Sequence, residues 1–407
     1  MKYILIIGDG MGDEPIAELG DRTPLEAAVT PIMDRLAGQG EQLLVRTVPE
    51  GYPPGSDVAN LSLLGYAPEK YYTGRAPLEA ASMGVELAAD EIAYRCNLVT
   101  LERLDNQVIM RDYSAGHIST EESRELILAV QEACGTDRVK LHPGISYRHL
   151  LVRKEGGEMV TTVPPHDHLD EDVTEFYNRY QQSDDLGRLI ECAAGVLAEH
   201  PVNRQRLGTG KNPANSLWLW GEGKSPAMPT LADRYGLHGV LVSAVDLLKG
   251  IGVYAGLEVP DVEGATGYID TNYAGKVAAA LDGLASGDLA VIHLEGPDEA
   301  GHQGSLTDKI QAIEDLDGKV VAPMLEALEK TGEPFRLVVC MDHYTPLSLR
   351  THVDWPVPML LYDSRGVPSA SGLTFTEANA RQFAQDKQCV FAGGEQFFRY
   401  FIQTEVS

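Results

Sequence analysis

Strands that alternate with helices at both ends of this 407-residue chain predict an α/β protein built on a doubly wound, mostly parallel sheet. The N-terminal run YILIIGDG, residues 3–10, is continuously apolar and closed by glycine, the pattern of a central parallel strand whose next loop carries function. A helical segment, TPLEAAVTPIMDRLAGQG, comes next and also ends in glycine. The second half repeats the alternation: HGVLVSAVDLLKGIG, GDLAVIHLEG and FRLVVCMDH each set an apolar run before Gly, Asp or His, and VPMLLYD adds a further strand. NYAGKVAAALDGLA and LTDKIQAIEDLDGKVVAPMLEALEK read as the helices between them.

The middle of the chain has a different texture. EIAYRCNLVTLE, NQVIMRDYSAG, RVKLHPGISYRHLLVRK and EMVTTVPPH read as strands, with EESRELILAVQEACG as a helix among them. A smaller α+β domain is therefore expected at residues 73–184, inserted into a discontinuous core of residues 1–72 and 185–407. The length, beyond what one hydrophobic core usually serves, agrees with two domains.

Charge and composition exclude several classes of function. Sixty acidic residues against 33 basic ones give a formal charge of −27, which repels nucleic acid and anionic membrane alike. No apolar run approaches the ~20 residues that cross a bilayer. MKYILIIGDG meets glycine and aspartate at once and lacks a small-residue cleavage site, so it reads as a buried strand. The cysteines Cys96, Cys134, Cys192, Cys340 and Cys389 are odd in number and widely separated. They indicate neither a disulfide framework nor a zinc knuckle, and a reduced, cytoplasmic setting is expected. A monomer or small homo-oligomer fits this reading.

In open α/β sheets, ligands bind beyond the carboxyl ends of the strands, so polar residues at those ends are weighed together. Asp9 ends the first strand. Ser56 and Asp57 follow Pro-Pro-Gly and open a helix, where capping is the ordinary role for such residues. Asp298 and His302, four apart after LAVIHLEG, share one helix face. Asp342 and His343 end RLVVCM, and His352 stands nine residues beyond His343. Any one of these sets is common decoration. Three sets of carboxylates and imidazoles converging on one sheet edge form what a two-metal site requires.

The segments GDGMGD, PGSDVANLSLLGY, YTGRAPLEAA, EGPDEAGH and MDHYTP…THVDWPVP, in this order and spacing, resemble the cofactor-independent (2,3-bisphosphoglycerate-independent) phosphoglycerate mutases, above all their archaeal-type branch within the alkaline phosphatase superfamily. The resemblance covers nearly the whole chain and implies an alkaline-phosphatase-like core. It implies Asp298, His302 and His352 as ligands of one divalent metal, and Asp9, Ser56, Asp342 and His343 as ligands of a second. It also implies Ser56 as the nucleophile that becomes phosphorylated, which agrees with the chemistry: coordination to a dication turns a weak hydroxyl nucleophile into a strong one. Mn²⁺ suits the mixed donors, with Mg²⁺ or Zn²⁺ as alternatives. No 2,3-bisphosphoglycerate is needed.

The expected activity is a glycolytic isomerisation, 3-phosphoglycerate to 2-phosphoglycerate, on a small phosphorylated metabolite. The insert resembles the family's lid, which excludes water from the phosphoserine. Its candidate anchors are Arg95, Arg111, Asp112, His117, Arg148 and His149, with Lys249 on the core side; Arg148-His149 offers a fork of donors. DYSAGH and WGEG depart from the archaeal pattern by placing Tyr113, His117 and Trp220 where that pattern has arginines. With fewer cations, a homoserine kinase or another small-molecule phosphotransferase stays open as the alternative, followed by a plain phosphomonoesterase and by a metal-stabilised binding protein.

Overall fold

The computed structural model describes residues 1–154 and 159–402. Strands β1 (Lys2–Gly8) and β2 (Glu41–Val45) precede a second compact unit, which holds β3 (Glu91–Leu104), β4 (Gln107–Asp112), β5 (Val139–His142), β6 (Arg148–Lys154) and β7 (Ser216–Lys224). Strands β8 (Gly239–Val242), β9 (Leu289–Leu294), β10 (Phe335–Cys340), β11 (Val357–Asp363) and β12 (Val390–Phe391) return to the first unit. The two units comprise Met1–Tyr72 with Met228–Ser407, and Thr73–Ala227.

The larger unit is a seven-stranded sheet ordered β12-β2-β11-β10-β1-β9-β8. Strands β8, β9, β1 and β10 run parallel, and β11 runs antiparallel to both β10 and β2. Two antiparallel steps restore the direction, so β2 points the same way as β10. The central strands are apolar on both faces because helices cover both: every residue of β9 and β10 is buried. As a result the carboxyl ends of β10, β1 and β9 lie side by side on one edge.

Helix boundaries follow local chemistry. The expected helix at 23–40 is two helices, Pro24–Ala27 and Pro31–Gln39. Pro31 disfavours a helical residue before it and supplies no N–H to continue the ladder. Thr23 and Glu26 form a capping box for the first helix. Thr30 makes no side-chain cap; instead Asp317 accepts from the backbone N–H groups of Ile32 and Met33. Asp317 sits in a single π turn, Asp317–Val321, which separates Leu306–Leu316 from Ala322–Thr331 where one continuous helix was expected.

The second unit is organised by β3. Its first half pairs antiparallel with β6 and β7, and its last residues pair with β4. Helices Thr120–Cys134 and Asp184–Glu199 cover this sheet around Trp218, Tyr94 and Tyr180. The insert was expected to end at residue 184, but it runs to Ala227, because β7 supplies the partner for half of β3 and cannot belong to the core. The expected strand EMVTTVPPH is not one. Residues 159–164 are irregular and lead into a 3₁₀ turn at Pro165–His168, as the two prolines dictate, while Glu158 lies outside the described residues.

The cysteine expectation also needs correction. Cys134 and Cys192 form a disulfide, while Cys96, Cys340 and Cys389 are free. The pair joins the helices Thr120–Cys134 and Asp184–Glu199 across 58 residues of sequence, a distance that spacing rules for motifs do not reach. Among the described residues, no helix is long and apolar enough to cross a membrane.

Candidate metal centre

The three adjacent strand ends deliver three carboxylates. Asp9 follows β1, Asp298 lies in the first turn of helix Gly296–Gln303 after β9, and Asp342 follows β10. All three are buried, at 1%, 4% and 0% exposure. The chain can pack them so closely because Gly10 adopts a left-handed φ of 58°; a Cβ there would fall 2.6 Å from Asp298 Oδ1 and 2.8 Å from its Cα.

Three imidazoles face these carboxylates through Nε2. His302 and His352 lie 3.2 and 3.4 Å from Asp298 and 2.9 Å from each other. His343 lies 3.3 Å from Asp9 Oδ1 and 3.5 Å from Asp342 Oδ2. Their other nitrogens are engaged elsewhere. His302 Nδ1 donates to the Arg350 carbonyl at 3.0 Å, His352 Nδ1 faces the Pro54 carbonyl at 3.4 Å, and His343 Nδ1 faces the Thr345 hydroxyl at 3.3 Å. Backbone carbonyls on Nδ1 select the tautomer with a free Nε2 lone pair, the state a metal ligand requires.

Ser56 is the first residue of helix Ser56–Leu63, and Gly55 occupies the cap position without a side-chain cap bond. The serine does not cap. Its Oγ lies 3.2 Å from His343 Nε2. Asp57 turns away from the cluster, accepting from Val58 N and from the Tyr72 hydroxyl at 2.6 Å. All seven expected ligand residues therefore meet at one edge of the sheet.

Two overlapping groups have ligand atoms within 4.8 Å of one another: Asp298, His343 and His352, and Asp9, Asp342 and His343. The partition expected from the resemblance differs in two respects: His343 belongs to both groups and not to the second alone, and His302, expected in the first, is in neither, although its Nε2 lies 3.2 Å from Asp298 and 2.9 Å from His352. The electrostatics fit dications. Burial, then the carboxylates of Asp342 and Asp298, push the Asp9 carboxyl well above its ordinary range, and its Oδ1 is buried with no hydrogen-bond partner. The hydrogen bond from Nε2 to Asp298 raises His302 to about 9, so a dication bound at Nε2 would take the place of that proton. The ion-pair neighbours of Asp9, Asp298 and Asp342 among the described residues are histidines, so the buried negative charge has no lysine or arginine against it. Divalent cations suit such a set of oxygen and imidazole donors.

Sequence reasoning missed the residues that hold the candidate ligands. His293 Nε2 lies 2.8 Å from Asp9 Oδ2. Asn60 donates to Asp342 Oδ2 at 2.8 Å and to the Ser56 carbonyl at 2.8 Å. Thr345 donates to Asp298, and Thr47 donates to the Asp342 carbonyl at 2.6 Å. His293 sits near the end of a strand and Asn60 one helical turn after Ser56, so strand-end position and i,i+4 spacing were the available signals.

The anchors expected in the insert are more dispersed. Arg95 is buried, pairs with Glu79 at 2.9 Å and stacks over Trp220 with its guanidinium carbon 3.9 Å from the ring centroid. Around Trp220 gather the rings of His166, Tyr113, Tyr147 and His117, each 5.3–6.3 Å from the next. His149 is buried beside them in sequence only. Its Nδ1 accepts from Gly144 N, its Nε2 has no partner, and burial lowers it to about 3. Arg148 is exposed and lies 5.6 Å from the Tyr147 ring. Arg111 forms exposed pairs with Glu102 and Asp170. Asp112 accepts from Ser114, Gly116 and Asn212 and shapes the turn before His117. On the core side, Lys249 pairs with Asp261 at 2.9 Å.

A mostly parallel α/β sheet that gathers one serine, three carboxylates and three imidazoles at a single edge has the makings of a hydrolytic or group-transfer enzyme site. The comparisons with known proteins make the class definite. A family pattern described as 2,3-bisphosphoglycerate-independent phosphoglycerate mutase matches residues 37–203. The enzyme of that name from Methanosarcina mazei is 52% identical over 363 residues, 89% of this chain and 90% of its own. Among solved structures, the PH0037 protein from Pyrococcus horikoshii superposes with a TM-score of 0.81 at 28% identity, covering 98% of this chain and 97% of that one. The cofactor-independent phosphoglycerate mutase from Thermoplasma acidophilum does so with a TM-score of 0.63 at 27% identity, covering 93% and 95%. The chain belongs to the 2,3-bisphosphoglycerate-independent phosphoglycerate mutases, which are isomerases.

Proposed function

We propose that the protein interconverts 3-phosphoglycerate and 2-phosphoglycerate through a phosphoserine on Ser56, with two divalent cations held by Asp9, Ser56, Asp298, His302, Asp342, His343 and His352. The observation that carries this reading is the Ser56 hydroxyl, uncapped at a helix start and 3.2 Å from His343 Nε2. Bound dications supply Lewis acidity that lowers the hydroxyl's pKa and neutralises the phosphoryl oxygens. The Ser56 oxygen attacks phosphorus in line, the bond to the glycerate oxygen breaks, and the serine proton ends on the departing oxygen. The retained glycerate then presents its other hydroxyl, and the same step runs in reverse. The N-terminal end of helix Ser56–Leu63 favours the negative charge that accumulates there.

The substrate's carboxylate and phosphate call for cations, and Arg148, exposed and paired with no carboxylate among the described residues, is the insert residue we assign to them. Mn²⁺ is the favoured metal, given the share of imidazole among the donors. A cytoplasmic location goes with this metabolic role. The test is an enolase-coupled assay with 3-phosphoglycerate and Mn²⁺ in the absence of 2,3-bisphosphoglycerate. Product formation is expected; no product, together with ATP-dependent phosphorylation of homoserine, overturns the assignment in favour of the kinase suggested by Tyr113, His117 and Trp220.

A further inference from the structure

We propose that Ser243 and His293 form a hydrogen-bond relay that fixes Asp9 as a ligand of one of the two cations, so that His293 is a positioning residue of the metal centre. The proposal rests on the metal reading above and adds residues to which neither the motifs nor the comparisons give a role. Three neighbouring strand ends carry the relay. Ser243 follows β8, His293 belongs to β9 and Asp9 follows β1, and these strands are adjacent in the sheet. All three side chains are buried, at 3%, 0% and 1% exposure.

The donors and acceptors give the relay one direction. Val245 N donates to Ser243 Oγ at 3.0 Å, which engages the oxygen and leaves the hydroxyl proton for His293 Nδ1 at 3.2 Å. A neutral imidazole that accepts at Nδ1 carries its proton on Nε2 and donates it to Asp9 Oδ2 at 2.8 Å. Once a cation offsets the neighbouring carboxylates, Asp9 is a carboxylate that the His293 N–H holds by one oxygen. The other, Oδ1, has no protein hydrogen bond and faces the His343 side of the cluster. Lys276, itself buried, donates to the His293 carbonyl at 3.1 Å and pins the strand at the same residue. The reverse polarity would require a protonated Asp9, a poor ligand for a cation.

Groups that orient a ligand in this way typically account for ~10–100-fold in metal affinity. The experiment titrates Mn²⁺ into full-length, chelator-stripped protein by calorimetry, with free Mn²⁺ followed by electron paramagnetic resonance. Wild type, His293→Ala, His293→Gln, Ser243→Ala and Asp9→Ala are compared, and circular dichroism verifies folding. Two sites are expected in wild type. His293→Ala is expected to weaken one of them by ~10–100-fold and spare the other. His293→Gln, which returns an N–H near the Nε2 position, should recover most of the loss, and the Mn²⁺ concentration for half-activation should move in parallel. Wild-type binding in His293→Ala, or no recovery in a folded His293→Gln, overturns the relay while leaving the metal centre standing. Should His293→Ala fail to fold, the relay stands if His293→Gln binds Mn²⁺ as wild type does and Ser243→Ala loses at least a few-fold at one site; unchanged affinity in Ser243→Ala overturns it. A wild type that binds no Mn²⁺, or an Asp9→Ala that binds it normally, overturns the metal reading itself.

Discussion

The core and the insert bury charge in opposite ways. At the core's strand ends, Asp9, Asp298 and Asp342 are buried, and their ion-pair partners among the described residues are all imidazoles. In the insert the buried charges are arginines, and each has a carboxylate near it: Glu79 beside Arg95, Asp185 beside Arg153 and Glu122 beside Arg206. A buried carboxylate cluster without its own cation is costly, and it persists where a cation from outside completes it. A buried arginine beside its own carboxylate has its charge offset within the protein. The first arrangement therefore points to chemistry and the second to architecture.

The contrast is tested most severely by Ser56→Ala. As a nucleophile, Ser56 accounts for ~10⁴-fold or more of the turnover. As a cap it would contribute about 1 kcal/mol to stability. Since Gly55 holds the cap position and Ser56 makes no cap bond, the variant should lose mutase activity in the enolase-coupled assay while its urea midpoint stays close to wild type. Six other ligands should keep it binding Mn²⁺. Substantial turnover in the folded variant would remove the covalent route.

The same contrast explains which parts were legible in the sequence. The residues we propose as ligands were readable because each sits within a few residues of an apolar strand or helix start, and strand-end position is a local property of sequence: Asp9 follows IIG, and Asp342 follows VVCM. Parallel strands then bring distant local signals to one edge without further information. His293 was hidden because a histidine inside an apolar strand reads the same whether it packs or holds a ligand. The insert's residues were harder still. Whether Arg95, Arg111 or Asp112 has a partner depends on Glu79, Asp170 and Asn212, residues brought to them only by tertiary pairing. The insert's late boundary and the Cys134–Cys192 bond escaped for the same reason, since both depend on contacts of long range in sequence.

Within the insert, Arg95→Ala and Arg111→Ala sharpen the comparison from the other side. Arg95 is buried between Glu79 and Trp220, so its removal strands a carboxylate and uncovers an indole face. A loss of about 3 kcal/mol is expected. Arg111, whose partners are exposed, should leave both stability and turnover close to wild type. Urea denaturation of the full chain and the coupled assay measure both. Equal losses would erase the distinction between buried pairs that build the insert and surface pairs that decorate it.

A smaller effect comes from Glu377, one of the core's buried carboxylates outside the cluster, which shows what happens to such a group there. It accepts from the Thr23 hydroxyl at 2.7 Å and from Asp13 N at 3.4 Å, and burial pushes it up to about 7. Lys309 does not neutralise it, because that ammonium is engaged by Asp13 at 2.8 Å and by the carbonyls of Gly12 and Thr345. A carboxyl group whose folded value lies above its unfolded value of about 4.3 favours folding when protonated. Its contribution is complete below the unfolded value and is lost as pH climbs toward the folded one, here between pH 4 and 7. Glu377→Gln keeps the shape and cannot ionise. Relative to this variant, wild type should therefore lose stability as pH rises from 5 to 8, and the two urea midpoints should diverge over that window. Midpoints that run parallel from pH 5 to 8 would mean that Glu377 stays ionised in the fold, and that the core can bury a carboxylate without a cation after all.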